Sequence, residues 1–165
     1  MAKAIGPNFV NELKAAGVLG LPFAWGEDGA IQYGAAITPV QQAAIEAVYA
    51  AHDPTKPDPV AAAAALIAGG LAVTSAAAPA LNGTYGCSPS DETAINGLQT
   101  AIGVNPALFP GYFRDKAGTA HVMTAAQFTA LAEAILAFVV AVDAALAAAL
   151  AGGAWAAPAA VANLP

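Results

Sequence analysis

The chain has 165 residues, enough for one medium domain or two small ones with a real core, but too few for a large enzyme cleft with an accessory domain. Hydrophobic residues make up 58%, yet so many are alanine that a mean hydropathy of +0.61 overstates the apolar area available for burial. Only 10% of residues are charged, and five Lys and Arg against eleven Asp and Glu give a net charge of −6, which excludes the basic stripe that nucleic acid or an anionic membrane surface demands.

The N-terminal stretch "MAKAIGPNFVNELKAAG" interrupts any apolar run with Asn, Glu and Lys, so it reads as a short helix and not as a secretory signal. In "FAWGEDGAIQYG", strands near Phe23 to Trp25 and Ala30 to Tyr33 flank the turn residues Glu27, Asp28 and Gly29. The following "ITPVQQAAIEAVYAAHD" opens with Thr38 as cap, Pro39 at the first helical position and Gln41 three residues on, which is a capping box. These elements make a module of residues 1–53. The segment 54–59, inside "HDPTKPDP", carries three prolines in six residues and is expected to be an extended linker.

The second module is expected over 60–165. Asp58 and Pro59 start the helix of "PVAAAAALIAGG", "LAVTS" is a short strand, and Asn82-Gly83 is a turn with strand-like flanks. Ser88 and Pro89 open a further helix whose Ala94, Ile95, Leu98 and Ile102 share a face. "GYFRDKAGTAHVM" then reads as strands Tyr112 to Arg114 and Thr119 to Met123 around Asp115, Lys116, Ala117 and Gly118. A helix over 124–151 follows, capped by Thr124 with Gln127 and stopped by Gly152 and Gly153. The final "AWAAPAAVANLP" is expected to form a short helical turn or to dock on a neighbour. The fold class is α+β and mostly helical: two small antiparallel hairpins, each followed by a capped helix, form a weak pseudo-repeat, and the second helix is long and Ala-rich.

That long helix is apolar enough to raise the question of a membrane span. Only nine residues separate Glu133 from Asp143, and a central carboxylate is costly in lipid. Phe128, Leu131, Ile135, Phe138 and Val142 are spaced 3, 4, 3, 4, which makes one stripe. The stripe is expected to be a packing or oligomer seam in a soluble helix, with no membrane span.

Residues that carry chemistry are few. Cys87 is the only cysteine and reads as a buried or loop thiol. His52 and His121 lie on different modules without a metal-ligand spacing, so no metal is expected, and His52 with Asp53 reads as a favourable helix-end charge and a loop start. Ser75, Ser88 and Ser90 sit beside turn or cap signals and outside any nucleophile motif. Asp91 and Glu92 form a carboxylate pair, but in the first turn of a helix they complement its dipole. No glycine pattern makes a phosphate cradle, so no nucleotide cofactor is expected. Trp25, Tyr33, Tyr112 and Phe113 read as core cover.

Residues from about 71 to 165, with "VTSAAAPALNGTYGCSPSDETAINGLQTAIGV" and "GYFRDKAGTAHVMTAAQFTALAEAILAFVVAVDAALAAAL", resemble a domain-of-unknown-function family of tailed phages and prophages. In that family a strand, a turn, a short helix, a hairpin of the form W-x-x-x-D-G, a Thr-capped segment and a long helix follow in order, commonly in tail-fibre or tail-assembly proteins. Here Phe113 sits near the usual tryptophan, and Lys116, Ala117 and Gly118 replace the usual Asp-Gly turn. The stretch "LPFAWGEDGAIQYGAAITPVQQAAIEAVYAAHDP" also resembles a segment of small phage structural proteins. The resemblance implies a non-enzymatic structural component of a phage virion, in the tail, baseplate or fibre region. Such a protein is made in the bacterial host cytoplasm and acts through contacts with other phage structural proteins and with copies of itself, without cofactors. The alternative it implies is a tail-fibre assembly chaperone absent from the mature particle.

Overall fold

A computed structural model describes residues 3–164. Five α-helices and seven short strands are present among them: α1 (Phe9–Ala15), β1 (Phe23–Trp25), β2 (Ile31–Tyr33), α2 (Pro39–Ala51), α3 (Pro59–Gly69), β3 (Leu71–Ser75), β4 (Gly83–Tyr85), α4 (Pro89–Val104), β5 (Tyr112–Arg114), β6 (Ala120–Val122), α5 (Ala125–Leu150) and β7 (Val161–Leu164). The architecture is the α+β, mostly helical one that the two capped hairpin-and-helix patterns imply, with the long Ala-rich helix near the C-terminus.

The chain divides into two compact units, one running to Ala62 and including Leu146–Ala156, the other made of Ala63–Ala145 and the residues from Ala157 onward. The segment 54–59, expected as a linker between the modules, falls inside the first unit. Asp53 accepts hydrogen bonds from Thr55 N–H (3.0 Å) and Thr55 Oγ1 (2.7 Å), so the Pro-rich segment closes into a turn where an extended linker was expected. The end of α5 and the residues after it also group with the N-terminal unit, which local composition does not reveal.

In the N-terminal unit β1 and β2 pair antiparallel, Phe23 with Tyr33 and Trp25 with Ile31. Their turn is closed by Gly26 N–H to Ala30 O (2.9 Å) and Gly29 N–H to Gly26 O (3.0 Å), with Gly29 at φ +86°. α2 begins with the expected Thr38 and Gln41 capping box and Pro39. A two-stranded hairpin is marginal alone, and this one lays Phe23, Trp25, Ile31 and Tyr33 over a core of Phe9, Leu13, Val18 and Ile45. Phe9 is fully buried and edge-on to Trp25 (centroids 5.6 Å apart), Tyr49 (6.3 Å) and His52 (5.0 Å).

In the C-terminal unit a three-stranded sheet has the order β4-β3-β7. β3 pairs antiparallel with β4 and parallel with β7, with Ala72 opposite Val161 and Ser75 opposite Leu164. The C-terminal segment, expected as a helical turn or an appendage on a neighbour, is therefore a strand in its own chain's sheet. A four-residue strand has too little alternation to announce itself when its partner lies far back in sequence. Leu71 and Val73 of the central strand are buried, as are Leu81, Tyr85 and Cys87 beside it. β5 and β6 form the second hairpin, with Phe113 opposite His121. α5 follows directly: Thr124 N–H donates to Gln127 Oε1 (2.8 Å) and Gln127 N–H donates to Thr124 Oγ1 (3.2 Å).

Candidate interaction surface

α5 carries the residues singled out by their spacing, and all five point into the protein: Phe128 (0% exposed), Leu131 (1%), Ile135 (1%), Phe138 (5%) and Val142 (1%). Phe128 lies 5.1 Å, between ring centroids, from both Phe109 and Phe113. The seam is a core seam of the C-terminal unit. Its large side chains are close to their full burial, of the order of 1.5–3 kcal/mol each in transfer free energy.

The opposite side of α5 is where an interface can form. Leu136 (53% exposed) and Val140 (58%) stand among exposed Ala137, Ala141 and Ala144, and Glu133 and Asp143 are the only charges on the helix. Beside this face, Phe138, Ala141, Pro158 and Val161 of the same unit line a shallow apolar groove, and Val161 is 58% exposed. By length and composition alone the helix is able to cross a bilayer. Its inward stripe, however, is committed to packing on this chain. The spacing of large residues reveals only the inward face, because alanine dominates the outward one.

Each histidine is wired differently. His52 at the end of α2 is buried; its Nε2 accepts the Gly6 N–H (2.9 Å) and its Nδ1–H donates to Glu12 Oε2 (2.6 Å). This places the proton of the neutral ring on Nδ1. The helix-end charge expected for His52 is not what the ring supplies: it staples α1 and the Gly6 backbone to α2. Asp53 does start a loop, and its carboxyl is held below the usual range by Thr55, through side chain and backbone.

His121 on β6 faces acceptors on both sides. Nδ1–H donates to Ala80 O (2.8 Å) and Nε2–H to Asp115 Oδ2 (3.0 Å), so the ring is an imidazolium when both bonds are made. Burial opposes that charge, but the Asp115 carboxylate and the Ala80 carbonyl outweigh it and raise the His121 pKa. The His121 hydrogen bond in turn holds Asp115 low against some desolvation, with help from the Thr119 and Ala117 backbone. Tyr85 packs on this pair, its ring 5.5 Å from that of His121, and donates to Leu81 O (2.9 Å). Burial and then the Asp115 charge push the Tyr85 hydroxyl up to about 12, so it serves as a fixed donor.

Burial likewise raises the Cys87 thiol, outweighing a hydrogen bond from the Leu71 backbone, and leaves little thiolate for nucleophilic work. Asp91 completes a capping box with Ser88, accepting from Ser88 N–H (2.9 Å) and Ser88 Oγ (2.6 Å). Its role is therefore local to the helix start. Among the described residues no group of three His, Cys, Asp or Glu side chains could hold a metal ion. Trp25, Tyr33 and Phe113 are partly buried, whereas Tyr112 is 41% exposed and stacks under the Arg114 guanidinium at 5.7 Å.

A family model described as a domain of unknown function (DUF4376) matches residues 60–162. No curated protein and no solved structure matches the chain.

Proposed function

The chain belongs to the DUF4376 family, and we propose that it is a non-enzymatic structural component of a phage virion, in the tail, baseplate or fibre region, that assembles through protein contacts. The observation that carries this reading is the outer face of α5, where Leu136 and Val140 stay exposed amid alanines although the inner face is fully used. Its occupant is a second copy of this chain. The nine residues between Glu133 and Asp143 carry no charge, so two copies can meet there through Leu136 and Val140. The resemblance of residues 71–165 to a tailed-phage and prophage family supports the same reading.

Two measurements test it. Sedimentation equilibrium should show a self-associating protein that Leu136→Asp with Val140→Asp converts to monomer while helical circular dichroism is kept; a native monomer at high micromolar concentration removes the proposed contact. Mass spectrometry of purified particles from a host carrying the gene should find the chain in the virion. Its presence in lysates but never in particles turns the reading to an assembly chaperone, and recovery in carbonate-resistant membranes turns it to a bilayer protein.

A further inference from the structure

The N-terminal unit contains a groove of about 160 Å³ whose walls come from three stretches of chain. One wall is a ledge of polar side chains on α1, one is the turn carrying Lys56 and Pro57, and one is the segment after α5 that ends at Trp155. The residues of the first two walls precede the stretch matched by the family model, so the groove is not a feature of the shared domain alone.

The ledge is held rigidly. Glu12 receives His52 Nδ1–H on Oε2 (2.6 Å) and Asn8 Nδ2 on Oε1 (3.2 Å). Asn11 Nδ2 donates to Asn8 Oδ1 (3.3 Å) and to Asp58 Oδ1 (3.0 Å). Because the Asp58 carboxylate accepts only, the carboxamide of Asn11 is oriented with its nitrogen spent and its oxygen left as an acceptor. The chain from His52 through Glu12, Asn8 and Asn11 to Asp58 thus fixes two acceptors, the Glu12 carboxylate and Asn11 Oδ1, before anything binds. The exposed Lys56 ammonium adds a donor, and the half-buried Trp155 indole adds a flat apolar wall.

Two fixed acceptors, one donor and one aromatic face within a volume that admits a single six-membered ring select a compact ligand with adjacent hydroxyls on one edge and C–H groups on a face. A nucleotide would demand more positive charge than one lysine provides, and an extended peptide would demand free backbone partners along the groove. We infer that this groove is a binding subsite for one pyranose unit of a saccharide, with hydroxyls donating to Glu12 and Asn11, a ring oxygen or hydroxyl accepting from Lys56, and the sugar face on Trp155. The chemistry is recognition only, because Glu12 is tied to His52 and has no second carboxylate among the groove walls.

The experiment uses the full chain with Trp25→Phe, which leaves Trp155 as its single tryptophan. Glucose, galactose, mannose, N-acetylglucosamine and glucuronate are titrated while Trp155 fluorescence is read, with open-chain sorbitol as the control. At least one sugar should give a saturable change with a Kd of about 1 mM or somewhat weaker, and sorbitol none. Lys56→Ala, at an exposed position, should weaken that sugar about tenfold at unchanged circular dichroism. Trp155→Ala, followed by calorimetry, should abolish the binding. No saturable change with any of the five sugars, an equal response to sorbitol, or undiminished binding by a folded Trp155→Ala overturns the inference.

Discussion

In the N-terminal hairpin the residues flanking the turn, Trp25 and Ile31, face the core, whereas in the C-terminal hairpin the residues at the same places, Arg114 and Ala120, face outward. The turns themselves are alike. Each is closed by one bond between residues i and i+4 and one from i+3 to i, Gly26 with Ala30 and Gly29, Asp115 with Thr119 and Gly118. Each has a glycine at positive φ, +86° for Gly29 and +84° for Gly118, and each leads into a helix capped by Thr and Gln. A strand has a side-chain period of two, so the same backbone offers two alternative faces, and the two modules have taken opposite ones. The first turns four large, partly buried residues, Phe23, Trp25, Ile31 and Tyr33, onto its core. The second turns inward only the central pair, partly buried Phe113 and buried His121, and so brings an ionisable ring against the sheet. Parity, more than turn type, decides what a hairpin contributes.

The largest effects should come from the aromatic on which each module is built. Phe9→Ala and Phe128→Ala each remove a ring that is fully buried and should each cost about 3–5 kcal/mol in urea unfolding. A small loss at either would mean that its module has another centre.

The turns, alike in backbone, should separate when their glycines are replaced. A Cβ at Gly118 meets open space, so Gly118→Ala should cost only the positive-φ penalty of about 1–2 kcal/mol. A Cβ at Gly29 meets the Lys3 carbonyl and the Tyr49 hydroxyl, which otherwise bond each other at 2.7 Å. Gly29→Ala should therefore be clearly worse in thermal melts, and equal losses would break the contrast.

The pairing at His121 should appear as a pH dependence confined to the second unit. Its folded pKa is raised, so the stabilisation is complete below the ordinary histidine value of about 6.5 and is lost as pH rises through the folded value. Asp115 is lowered, so its share is present above about 3.9 and is lost as pH falls further. The difference in urea midpoint between the native chain and His121→Gln should be greatest between those values and shrink toward pH 9. A difference that does not vary with pH refutes the imidazolium assignment.

The smallest effects should be equal ones. Thr38→Ala and Thr124→Ala each remove a cap of the same kind, and each should cost about 1 kcal/mol by chemical denaturation.

What the sequence revealed was what is decided within a few residues. Thr38 with Gln41, Thr124 with Gln127, the glycine turns and the spacing from Phe128 to Val142 are all local, and each element forms where its residues point. The roles of the histidines were hidden because their partners are remote: Gly6 and Glu12 for His52, Ala80 for His121. The outer face of α5 was hidden for another reason, since alanine carries no periodic contrast. The groove beside Trp155 was invisible because its residues are dispersed over three stretches that only the fold brings together.

The parallel pairing of β3 with β7 has a consequence for how fast the second unit can form. Ala72 meets Val161 only after a loop of about 90 residues has closed, an entropic cost of about 4 kcal/mol beyond a constant. The hairpins and helices in between need no such closure and are free to form first. The sheet's last strand therefore sets the pace of completion, and until it arrives the hydrogen-bonding edge of β3 stands open.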